Sequence, residues 1–373
     1  MIKRKITFIV HSLTLGGAQR VLTTLANNLT KNYEVSIITF IRSDSFYALD
    51  KEVNLIPCFN NINPSSNPIE AIKSNYALLK KINIIVKENK TDLIISFMTT
   101  ANILGIIIGR FNKIPIIISE RTNPYHQKIP KFWSILRSFC YRYSDMLIVQ
   151  TETIKKFFKD KVDESKLLIL PNPISNELTK NRNLNSLTNK GNIILTVGRL
   201  TPLKSHAMLI RAFALTEYEK WELWIAGDGP EYQNLESLIS ELNLDNHVKL
   251  LGLVKDVHTL YNTAKVFAFS STYEGFPNVL IEAMHFGLAC VSTDCPTGPS
   301  ELINSGENGY LVPVNDIDEM RDKLTSLMNN QTIIKQFGKK SMITVQKYEE
   351  ENVISQWKSV INPLLQYRKA LPK

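Results

Sequence analysis

Short apolar runs recur along the first half of the chain and alternate with amphipathic stretches. The runs are ITFIV, EVSIITF, DLIISF, IPIIIS and DMLIVQ. Apolar runs of strand length without polar alternation are typical of parallel strands that are covered on both faces. Between the first two runs, GAQRVLTTLANNLT places its Val and Leu side chains on one helical face. This order of strands and helices predicts an α/β fold with a doubly wound parallel sheet.

The alternation stops at residues 170–191 and then starts again. The interrupting stretch, LPNPISNELTKNRNLNSLTNKG, is rich in Asn, Pro, Ser and Thr, which is typical of an interdomain linker. New strand-like runs follow as NIILTVG, WELWIAG, HVKLLG, KVFAFS and LACVST. We therefore expect two tandem α/β domains, residues 1–172 and 173–356, with a cleft between them and ligands beyond the carboxyl ends of the strands. A last amphipathic helix follows, and Pro363 is expected to kink or end it.

Length and composition are consistent with this arrangement. The chain has 373 residues, 44% of them hydrophobic, which allows two or three domains with full cores. Four cysteines are too few and too scattered for a disulfide scaffold, so we expect reduced thiols in a cytosolic protein. They are Cys58, Cys140, Cys290 and Cys295.

Membrane-targeting and membrane-spanning segments are not expected. The apolar run in MIKRKITFIVHS is too short for a signal peptide. The uncharged run of residues 93–109 includes Ser96 and Asn102 and is short for a bilayer span of about 20 apolar residues. We predict a buried strand followed by a helix in that run.

Positive charge is concentrated in the first half of the chain. Residues 1–173 carry 24 Lys and Arg against 13 Asp and Glu, whereas the rest carries 20 against 22. Such a basic half could attract an anionic membrane, a nucleic acid or an anionic substrate. The alternative is that the lysines serve only solubility.

One stretch of this basic half, PKFWSILRSFCYRYSD, predicts an aromatic and basic amphipathic helix. Its apolar positions fall near one helical face: Trp133, Leu136, Phe139, Cys140 and Tyr143. Its basic positions lie elsewhere: Lys131, Arg137 and Arg142. A helix of this kind can lie in a membrane interface, or it can pack on a protein core.

Two motifs suggest a site for phosphate. In HSLTLGGAQR, Gly16 and Gly17 open a helix directly after a strand and loop. Glycines there let the backbone approach a ligand, and the N–H groups at a helix start attract anions, although an ordinary tight turn has the same pattern. In TVGRLTPLKSH, Arg199 and Lys204 follow another strand, where paired cations can neutralise a diphosphate or can simply be solvated.

The stretch STYEGFPNVLIEAMHFG has a glutamate near each end of an apolar segment. A strand leads into a loop with Glu274, and a helix is expected from about Pro277 to Gly287, with Glu282 one turn inside it. An acid in so apolar a helical turn is costly without a partner. The unpaired N–H groups at the helix start could hold a phosphate, and the two carboxylates could accept hydrogen bonds from hydroxyls. These N–H groups belong to Asn278, Val279 and Leu280.

The order of these motifs resembles the retaining glycosyltransferases of GT-B fold, specifically glycosyltransferase family 4. The resemblance spans nearly the whole chain, with the glycine pair, the two cations, the GDG turn in IAGDGPEYQNL and the Glu-x7-Glu segment in the family order. The Glu-x7-Glu segment with GFP and EAM is its most specific part, and CPTGPSE resembles bacterial enzymes that build lipid-linked surface polysaccharides. It implies two Rossmann-like doubly wound domains, with residues 357–373 packing back on the first domain.

The resemblance also implies roles for individual residues. Arg199 and Lys204 would bind the donor diphosphate, Glu282 the ribose and Glu274 the donor sugar. The N–H groups of Val279 and Leu280 would contact the phosphate.

Further implied contacts come from other parts of the chain. The backbone near Val254 would meet the base, and Gly16 and Gly17 would lie under the diphosphate. Many family members carry a histidine after the strand that here reads IPIIIS, and this chain has ERTNPYH there. Arg121 stands nearest the expected place and joins Glu274, Arg199 and Lys204 as a candidate catalytic residue, with His126 as the alternative.

The implied activity is transfer of a hexose or N-acetylhexosamine, with a Gal or GalNAc type as the best match, from a UDP-sugar to a lipid-linked glycan. The anomeric configuration would be retained, without cofactor or metal. The expected partners are the donor, the acceptor and an anionic membrane surface, but no nucleic acid. The expected location is the cytoplasmic, inner face of the cell membrane, and a soluble acceptor is the alternative.

Other functions fit the residues less well. Asp316 and Asp318 could suggest a metal site, but acids are common as helix caps where they stand. A dinucleotide-dependent oxidoreductase needs a Gly-rich fingerprint that GGAQR does not provide. A nucleic-acid binder needs aromatic side chains that stack among its basic residues. Neither rival function explains Glu274 and Glu282 together.

Overall fold

The structure, a computed structural model, divides into two units. It describes residues 3–14, 16–61, 67–125, 129–183 and 190–370. Unit 1 comprises Met1–Pro173 and Glu351–Lys373, and unit 2 comprises Ile174–Glu350. Each unit contains one parallel sheet with helices packed on it, so the prediction of two α/β units is confirmed.

The sheet of unit 1 has seven described strands. They are β1 (Lys5–Val10), β2 (Glu34–Ile41), β3 (Asn54–Phe59), β4 (Leu93–Phe97), β5 (Ile116–Ser119), β6 (Met146–Val149) and β7 (Leu167–Ile169). All neighbours pair in parallel, in the order β3-β2-β1-β4-β5-β6-β7. The direction of winding reverses between β1 and β4, which makes the carboxyl ends of these two strands the topological switch point.

Helices cover both faces of this sheet. The first five are α1 (Gly17–Leu29), α2 (Pro68–Glu88), α3 (Thr99–Phe111), α4 (Lys131–Cys140) and α5 (Glu152–Phe158). Helices α2 to α5 share one core with the sheet, and α1 lies in the other. Residues 93–109 form β4 and most of α3, as predicted from their polar residues. Within the described residues, no helix is both long enough and apolar enough to cross a bilayer.

Unit 2 repeats the design with six described strands. They are β8 (Gly191–Val197), β9 (Glu222–Ala226), β10 (Val248–Gly252), β11 (Ala264–Phe269), β12 (Ala289–Thr293) and β13 (Gly309–Val312). Their order is β10-β9-β8-β11-β12-β13, and all pairs are parallel. The winding reverses between β8 and β11, so their carboxyl ends form the switch point of this sheet.

The helices of unit 2 connect these strands. They are α6 (Asn176–Lys180), α7 (His206–Ala214), α8 (Tyr232–Glu241), α9 (Val257–Thr263), α10 (Asn278–His285), α11 (Pro299–Leu302), α12 (Ile317–Met328) and α13 (Gln331–Val345). Helix α6 lies inside the stretch that we expected to be only a linker. The Ser175 hydroxyl caps it by accepting the Leu178 N–H. A serine N-cap is a sequence signal for a helix start, but it is hard to recognise in a stretch so rich in Asn, Pro, Ser and Thr.

The last helix, α14 (Glu350–Ala370), returns to unit 1. Val353, Trp357 and Ile361 are buried in the same core as β1 and α1. Pro363 was expected to kink or end the helix; it does not end it, because the helix continues past it, and the kink stays a prediction. Proline has no N–H, so one helical hydrogen bond is lost at Pro363, on the exposed side of the helix. Leu365 in the following turn is buried, and this packing allows the helix to continue.

Helix α4, for which membrane contact and core packing were both open, has some apolar side chains on the core and others exposed. Trp133 and Leu136 pack against the core of unit 1, and Cys140 is buried there. The prediction that these residues share one face with Phe139 and Tyr143 is therefore wrong, because Phe139 and Tyr143 are exposed while the other three pack on the core.

The basic residues of this segment also differ in exposure. Arg137 is only 4% exposed, with its guanidinium 5.3 Å from the centre of the Phe157 ring, whereas Lys131 and Arg142 are exposed. Arg137 is thus a core residue, and only the other two cations can face a membrane.

Candidate active site

The switch point of unit 2 brings two of the predicted charged residues into contact. Lys204 follows β8, and Glu274 follows β11, so both stand beyond the carboxyl ends of the two strands where the winding reverses. The Lys204 Nζ lies 2.5 Å from the Glu274 Oε1, with both side chains mostly withdrawn from solvent. The sequence predicted both residues for the site but did not predict that they pair with each other.

The backbone at Lys204 is held by the opposite loop. The Ser270 hydroxyl donates to the Lys204 carbonyl at 2.8 Å, and the Thr272 N–H donates to the Leu203 carbonyl at 2.8 Å. Both donors belong to the loop that carries Glu274. The two halves of the ion pair are therefore fixed by main-chain hydrogen bonds, and each side chain starts from a defined position.

A second loop, which follows β12, holds the backbone at Glu274. The Thr297 hydroxyl donates a hydrogen bond to the Glu274 carbonyl. Gly298 has φ +99°, and a Cβ at this position would collide with the Pro277 ring, so glycine permits both the turn and the close packing of the two loops. Cys295 is 1% exposed beside them, and burial, with the Glu274 charge, raises the pKa of its thiol to about 12.

The backbone on either side of Arg199 is hydrogen-bonded to the segment that contains the GDG turn, residues 227–229. The Gly198 N–H donates to the Ala226 carbonyl at 2.9 Å, and the Leu200 N–H donates to the Asp228 carbonyl at 3.0 Å. A Cβ at Gly229 would collide with the Leu200 carbonyl. The glycine spacing of this turn therefore serves close packing beneath Arg199, whose side chain is exposed to solvent.

Glu282 is a buried acid with a partner that the sequence did not reveal. It is 3% exposed in α10, and the Tyr261 hydroxyl of α9 donates to its Oε2 at 3.1 Å. Tyr261 is itself fully buried among apolar residues. The helical pattern around TLYNTA marks Tyr261 as a core position, but nothing in a single sequence indicates that its hydroxyl reaches Glu282.

The start of α10 differs from the expectation of three unpaired N–H groups. Pro277 has φ −83° and ψ 72°, close to an inverse γ-turn, and the Asn278 N–H donates to the Phe276 carbonyl at 3.0 Å. The Leu280 N–H donates to the Pro277 carbonyl at 3.0 Å. The tight turn thus satisfies two of the three groups locally, and Val279 is the one of the three that remains a candidate phosphate donor.

The predicted base contact lies next to the same apolar cluster. Val254 follows β10 and packs, partly buried, against the cluster that also includes Val279. The Gly252 carbonyl, just before it, accepts the Gly227 N–H at 2.8 Å, which joins this loop to the GDG turn. The contacts of unit 2 therefore connect the β8, β9, β10 and β11 loops into one edge of the sheet.

Gly16 and Gly17 stand at the switch point of unit 1. Gly16 caps α1 and Gly17 begins it, as the motif predicted, and the Gly16 carbonyl accepts the Arg20 N–H at 3.0 Å. Their predicted contact with a donor held by unit 2 stays a prediction.

Arg121 points into the interior of unit 1. Its guanidinium donates to the Ser119 hydroxyl at 2.7 Å and to the Asn172 side-chain oxygen at 2.6 Å. It also lies 5.3 Å from the Phe97 ring centre and 5.7 Å from that of Trp357. Burial lowers the pKa of Arg121 to about 9. These contacts attach α14 to the sheet, and a catalytic role for Arg121 would require its side chain to leave them.

The neighbouring acid, Glu120, is also enclosed. It is fully buried and accepts hydrogen bonds from Tyr141 at 2.7 Å, Thr122 at 3.0 Å and Thr99 at 3.1 Å. Burial raises the pKa of this carboxyl, against the opposing effect of those hydrogen bonds and of Arg137. His126, the alternative to Arg121, lies outside the described residues.

The two acids weighed as metal ligands have structural partners. The Asp316 carboxylate caps α12 by accepting the Glu319 N–H at 2.9 Å, and Asp318 lies 2.6 Å from Arg321. Among the residues that the structure describes, no group of three or more His, Cys, Asp and Glu side chains could hold a metal ion.

Taken together, the described site offers cations, carboxylates and a tight backbone layer at one sheet edge. Arg199 and Lys204 can neutralise an anionic group, whereas Glu274 and Glu282 can accept hydrogen bonds from hydroxyls. A ligand that carries both a phosphate and several hydroxyls matches this chemistry.

Solved structures place the fold in a known class. HepE from Anabaena, crystallised with UDP, matches with a TM-score of 0.82 at 19% identity, over 96% of this chain and 100% of that one. The lipopolysaccharide outer core galactosyltransferase WaaB matches with a TM-score of 0.77 at 21% identity, over 96% of this chain and 99% of that one. At these identities the likeness shows the fold alone, which is the GT-B fold of glycosyltransferases.

Sequence relatives then identify the family. A relative from Campylobacter jejuni is 34% identical over 362 residues, 96% of this chain and 98% of its own length. Its name is GalNAc-alpha-(1->4)-GalNAc-alpha-(1->3)-diNAcBac-PP-undecaprenol alpha-1,4-N-acetyl-D-galactosaminyltransferase. The amylovoran biosynthesis glycosyltransferase AmsD of Erwinia amylovora is 26% identical over 356 residues, 93% of this chain and 96% of its own length.

Family models agree with these relatives across most of the chain. Residues 15–178 match the model of Glycosyltransferase Family 4, and residues 179–342 match that of Glycosyl transferases group 1. The chain belongs to glycosyltransferase family 4, and the resemblance seen in its motifs is confirmed.

Proposed function

We propose that this glycosyltransferase moves a hexose or N-acetylhexosamine from a UDP-sugar to a hydroxyl of a lipid-linked glycan, with retention of the anomeric configuration. The contact between Lys204 and Glu274 at the switch point carries this proposal, because it places a phosphate-binding cation beside a hydroxyl-binding carboxylate. A donor of the Gal or GalNAc type is supported by the N-acetylgalactosaminyltransferases of Campylobacter jejuni among the relatives.

In the proposed donor complex, unit 2 holds the nucleotide and presents the sugar. Arg199 and Lys204 neutralise the diphosphate, the Val279 N–H contacts a phosphate oxygen, and Glu282 accepts hydrogen bonds from the ribose. Tyr261 keeps the Glu282 carboxylate oriented through its 3.1 Å hydrogen bond. Glu274 accepts a hydrogen bond from the donor sugar.

The proposed chemistry needs neither a metal nor a cofactor. As the bond to the sugar breaks, negative charge grows on the leaving diphosphate, and the two cations stabilise that charge more than they stabilise the intact donor. The acceptor hydroxyl attacks on the face from which the diphosphate departs. A phosphate oxygen takes the hydroxyl proton, so no carboxylate base is required.

Unit 1 supplies the acceptor side in this proposal. The acceptor class is supported by the relatives from Campylobacter jejuni, whose names place undecaprenol diphosphate at the end of their glycan substrates. An enzyme with such a substrate works at a membrane, and a basic unit 1 suits the anionic inner surface of the cell membrane. Nucleic acid is not a proposed partner.

One helical surface of unit 1 has the composition for that contact. Its exposed apolar side chains are Ile69, Ile72 and Tyr76 on α2, Ile107 and Phe111 on α3, and Phe132, Ile135 and Phe139 on α4. Helix α3 packs against both α2 and α4, so we call this set the α2–α4 face. Exposed cations accompany it: Lys73, Lys80, Lys87, Arg110, Lys131 and Arg142. Apolar side chains among cations are typical of proteins that lie on anionic lipid.

The enzymatic proposal is tested by incubating the protein with a panel of UDP-sugars, with and without an undecaprenyl-diphosphate-linked glycan, and measuring UDP release. We expect one or two of the sugars to give acceptor-dependent release, and we expect Lys204→Met to lower the rate about 100-fold or more. Lys249→Met, at an exposed surface pair with Glu222, is the matched control. The absence of turnover with every UDP-sugar would contradict the proposal.

The membrane contact is tested by flotation with vesicles that contain anionic lipid. Replacing Phe132, Ile135 and Phe139 together by Ser should abolish flotation, because these side chains are 55 to 69% exposed and can enter the lipid interface. Leu215→Ser with Ile343→Ser removes two exposed apolar side chains from unit 2 and should leave flotation intact. Equal flotation of both variants would remove the α2–α4 face from the account.

A further inference from the structure

In the Lys204–Glu274 ion pair, the carboxylate already binds the ammonium group that a donor diphosphate would need. The side chains are 24% and 12% exposed, and their atoms lie 2.5 Å apart. Ser270 fixes the backbone on the lysine side, and Thr297 fixes it on the glutamate side. The Glu274 carboxylate therefore holds the ammonium group that the proposed function assigns to the diphosphate.

A diphosphate must compete with this carboxylate for Lys204. If the phosphate takes the ammonium group, Glu274 loses that partner while a second anion arrives within a few ångströms of it. Repulsion between two anions at such a range is stronger in a partly buried site than in water, and salt screens it less. The nucleotide diphosphate alone thus meets an opposing charge in its own binding site.

An intact donor offers a compensation that the free nucleotide lacks. The sugar on the terminal phosphate carries hydroxyl groups, which can donate charge-assisted hydrogen bonds to the Glu274 carboxylate in place of Lys204. It also esterifies the terminal phosphate and removes part of its negative charge. Free UDP brings more charge and no such donors.

We infer that Glu274 makes the site discriminate between the intact nucleotide sugar and the released UDP, and so weakens binding of the product. This inference rests on the proposed function and adds a second task to the same carboxylate. In the alternative, Glu274 only contacts the sugar, and the ion pair costs UDP nothing. The two cases differ in one measurable quantity, the affinity for UDP when the carboxylate is made neutral.

The experiment measures dissociation constants by calorimetry for UDP and for a non-transferable phosphonate analogue of UDP-GalNAc. Glu274→Gln keeps the shape of the side chain but removes its charge, so we expect UDP to bind about three- to tenfold more tightly than to the wild type. The analogue should bind no more tightly than to the wild type. The preference of the site for analogue over UDP should therefore fall at least three- to tenfold.

Two further variants keep the test decisive. Glu307→Gln makes the same chemical change at an exposed turn of unit 2 and should leave both constants unchanged. Glu274→Asp keeps the negative charge, so its affinity for UDP should remain close to that of the wild type even though the shorter side chain alters the ion pair. Thermal unfolding of each variant shows whether the fold is intact, and the inhibition constant of UDP in the transfer reaction provides an independent reading.

The possible outcomes separate this inference from the proposed function. If the wild type binds UDP but Glu274→Gln binds it equally or more weakly, the discrimination is refuted while the donor site stands. If the wild type binds neither UDP nor the analogue, the proposed function fails and the inference fails with it. Tighter UDP binding by Glu274→Asp as well as Glu274→Gln would show that charge is not the cause, and would also overturn the inference.

Discussion

Single side chains in the unit 2 site owe their positions to partners far away in the sequence. Glu282 is oriented by Tyr261, and Lys204 is held near Glu274 by Ser270 and Thr272. The sequence could indicate which acids were unusual, because an acid in an apolar helical turn needs a partner. It could not identify those partners, since which side chains meet depends on how the loops of separate strands come together at the sheet edge.

His206 gives a prediction at the same scale. It is 4% exposed at the start of α7, and burial, followed by the Lys204 charge, lowers its pKa from 6.5 to about 4. Between pH 6.5 and 4 the unfolded chain binds this proton and the folded protein does not, so the free energy of unfolding falls as pH falls through that window. The effect should reach about 2–3 kcal/mol at pH 4.

Urea unfolding at several pH values checks this. His285 also has its pKa lowered to about 4, mainly by burial, so the wild-type slope contains both histidines. The difference between wild type and His206→Gln isolates the contribution of His206. Identical dependence on pH in the two proteins would show that His206 is not the group that titrates.

At the scale of elements, the central strands were predictable, whereas three of the four edge strands were not. The three strands that the apolar pattern missed, β3, β7 and β13, all lie at the edge of a sheet. An edge strand has one neighbour and is less completely covered, so it is short and carries weaker hydrophobic patterning. Strand β3 even contains Pro57, which an edge position tolerates.

The glycine turn beneath Arg199 also belongs to this scale. In Gly229→Ala the added methyl would meet the Leu200 carbonyl, so the two loops must separate, at a cost of about 1–3 kcal/mol of unfolding free energy and a loss of transfer activity. In Gly198→Ala the added methyl would lie 3.6 Å from the Lys204 side chain, an ordinary contact, so stability should stay within about 0.5 kcal/mol. Chemical denaturation compares the two variants, and equal losses would contradict this reading of the GDG turn.

At the scale of the molecule, the chain leaves unit 1 at residue 173 and returns to it at residue 351. The apolar residues of the last helix were visible in the sequence, but their burial against the first sheet is a property of the fold. Likewise, the excess positive charge of the first half can be counted from the sequence. The sequence does not show which face of α4 points to the core and which to solvent. Periodicity identifies the faces of a helix without telling which face meets the core.

Trp357 tests the importance of this return. It is fully buried, and its ring centre lies 6.3 Å from that of Phe97. Trp357→Ala should cost unit 1 about 3–5 kcal/mol, because it leaves a large cavity. Hydrogen exchange should accelerate in β1 and β4, while β8 and β11 of unit 2 keep their protection. Unchanged exchange in β1 and β4 would mean that α14 adds little to the stability of unit 1.

The central claim is that the edge of the unit 2 sheet at β8 and β11 binds a nucleoside diphosphate, and hydrogen exchange with and without UDP tests it most directly. We predict slower exchange in peptides that cover residues 198–206 and 272–282 when UDP is present, and unchanged exchange in α8 and α12 on the helical flanks. If UDP binds but does not slow exchange in residues 198–206 and 272–282, the site has been placed wrongly and the proposed mechanism is refuted.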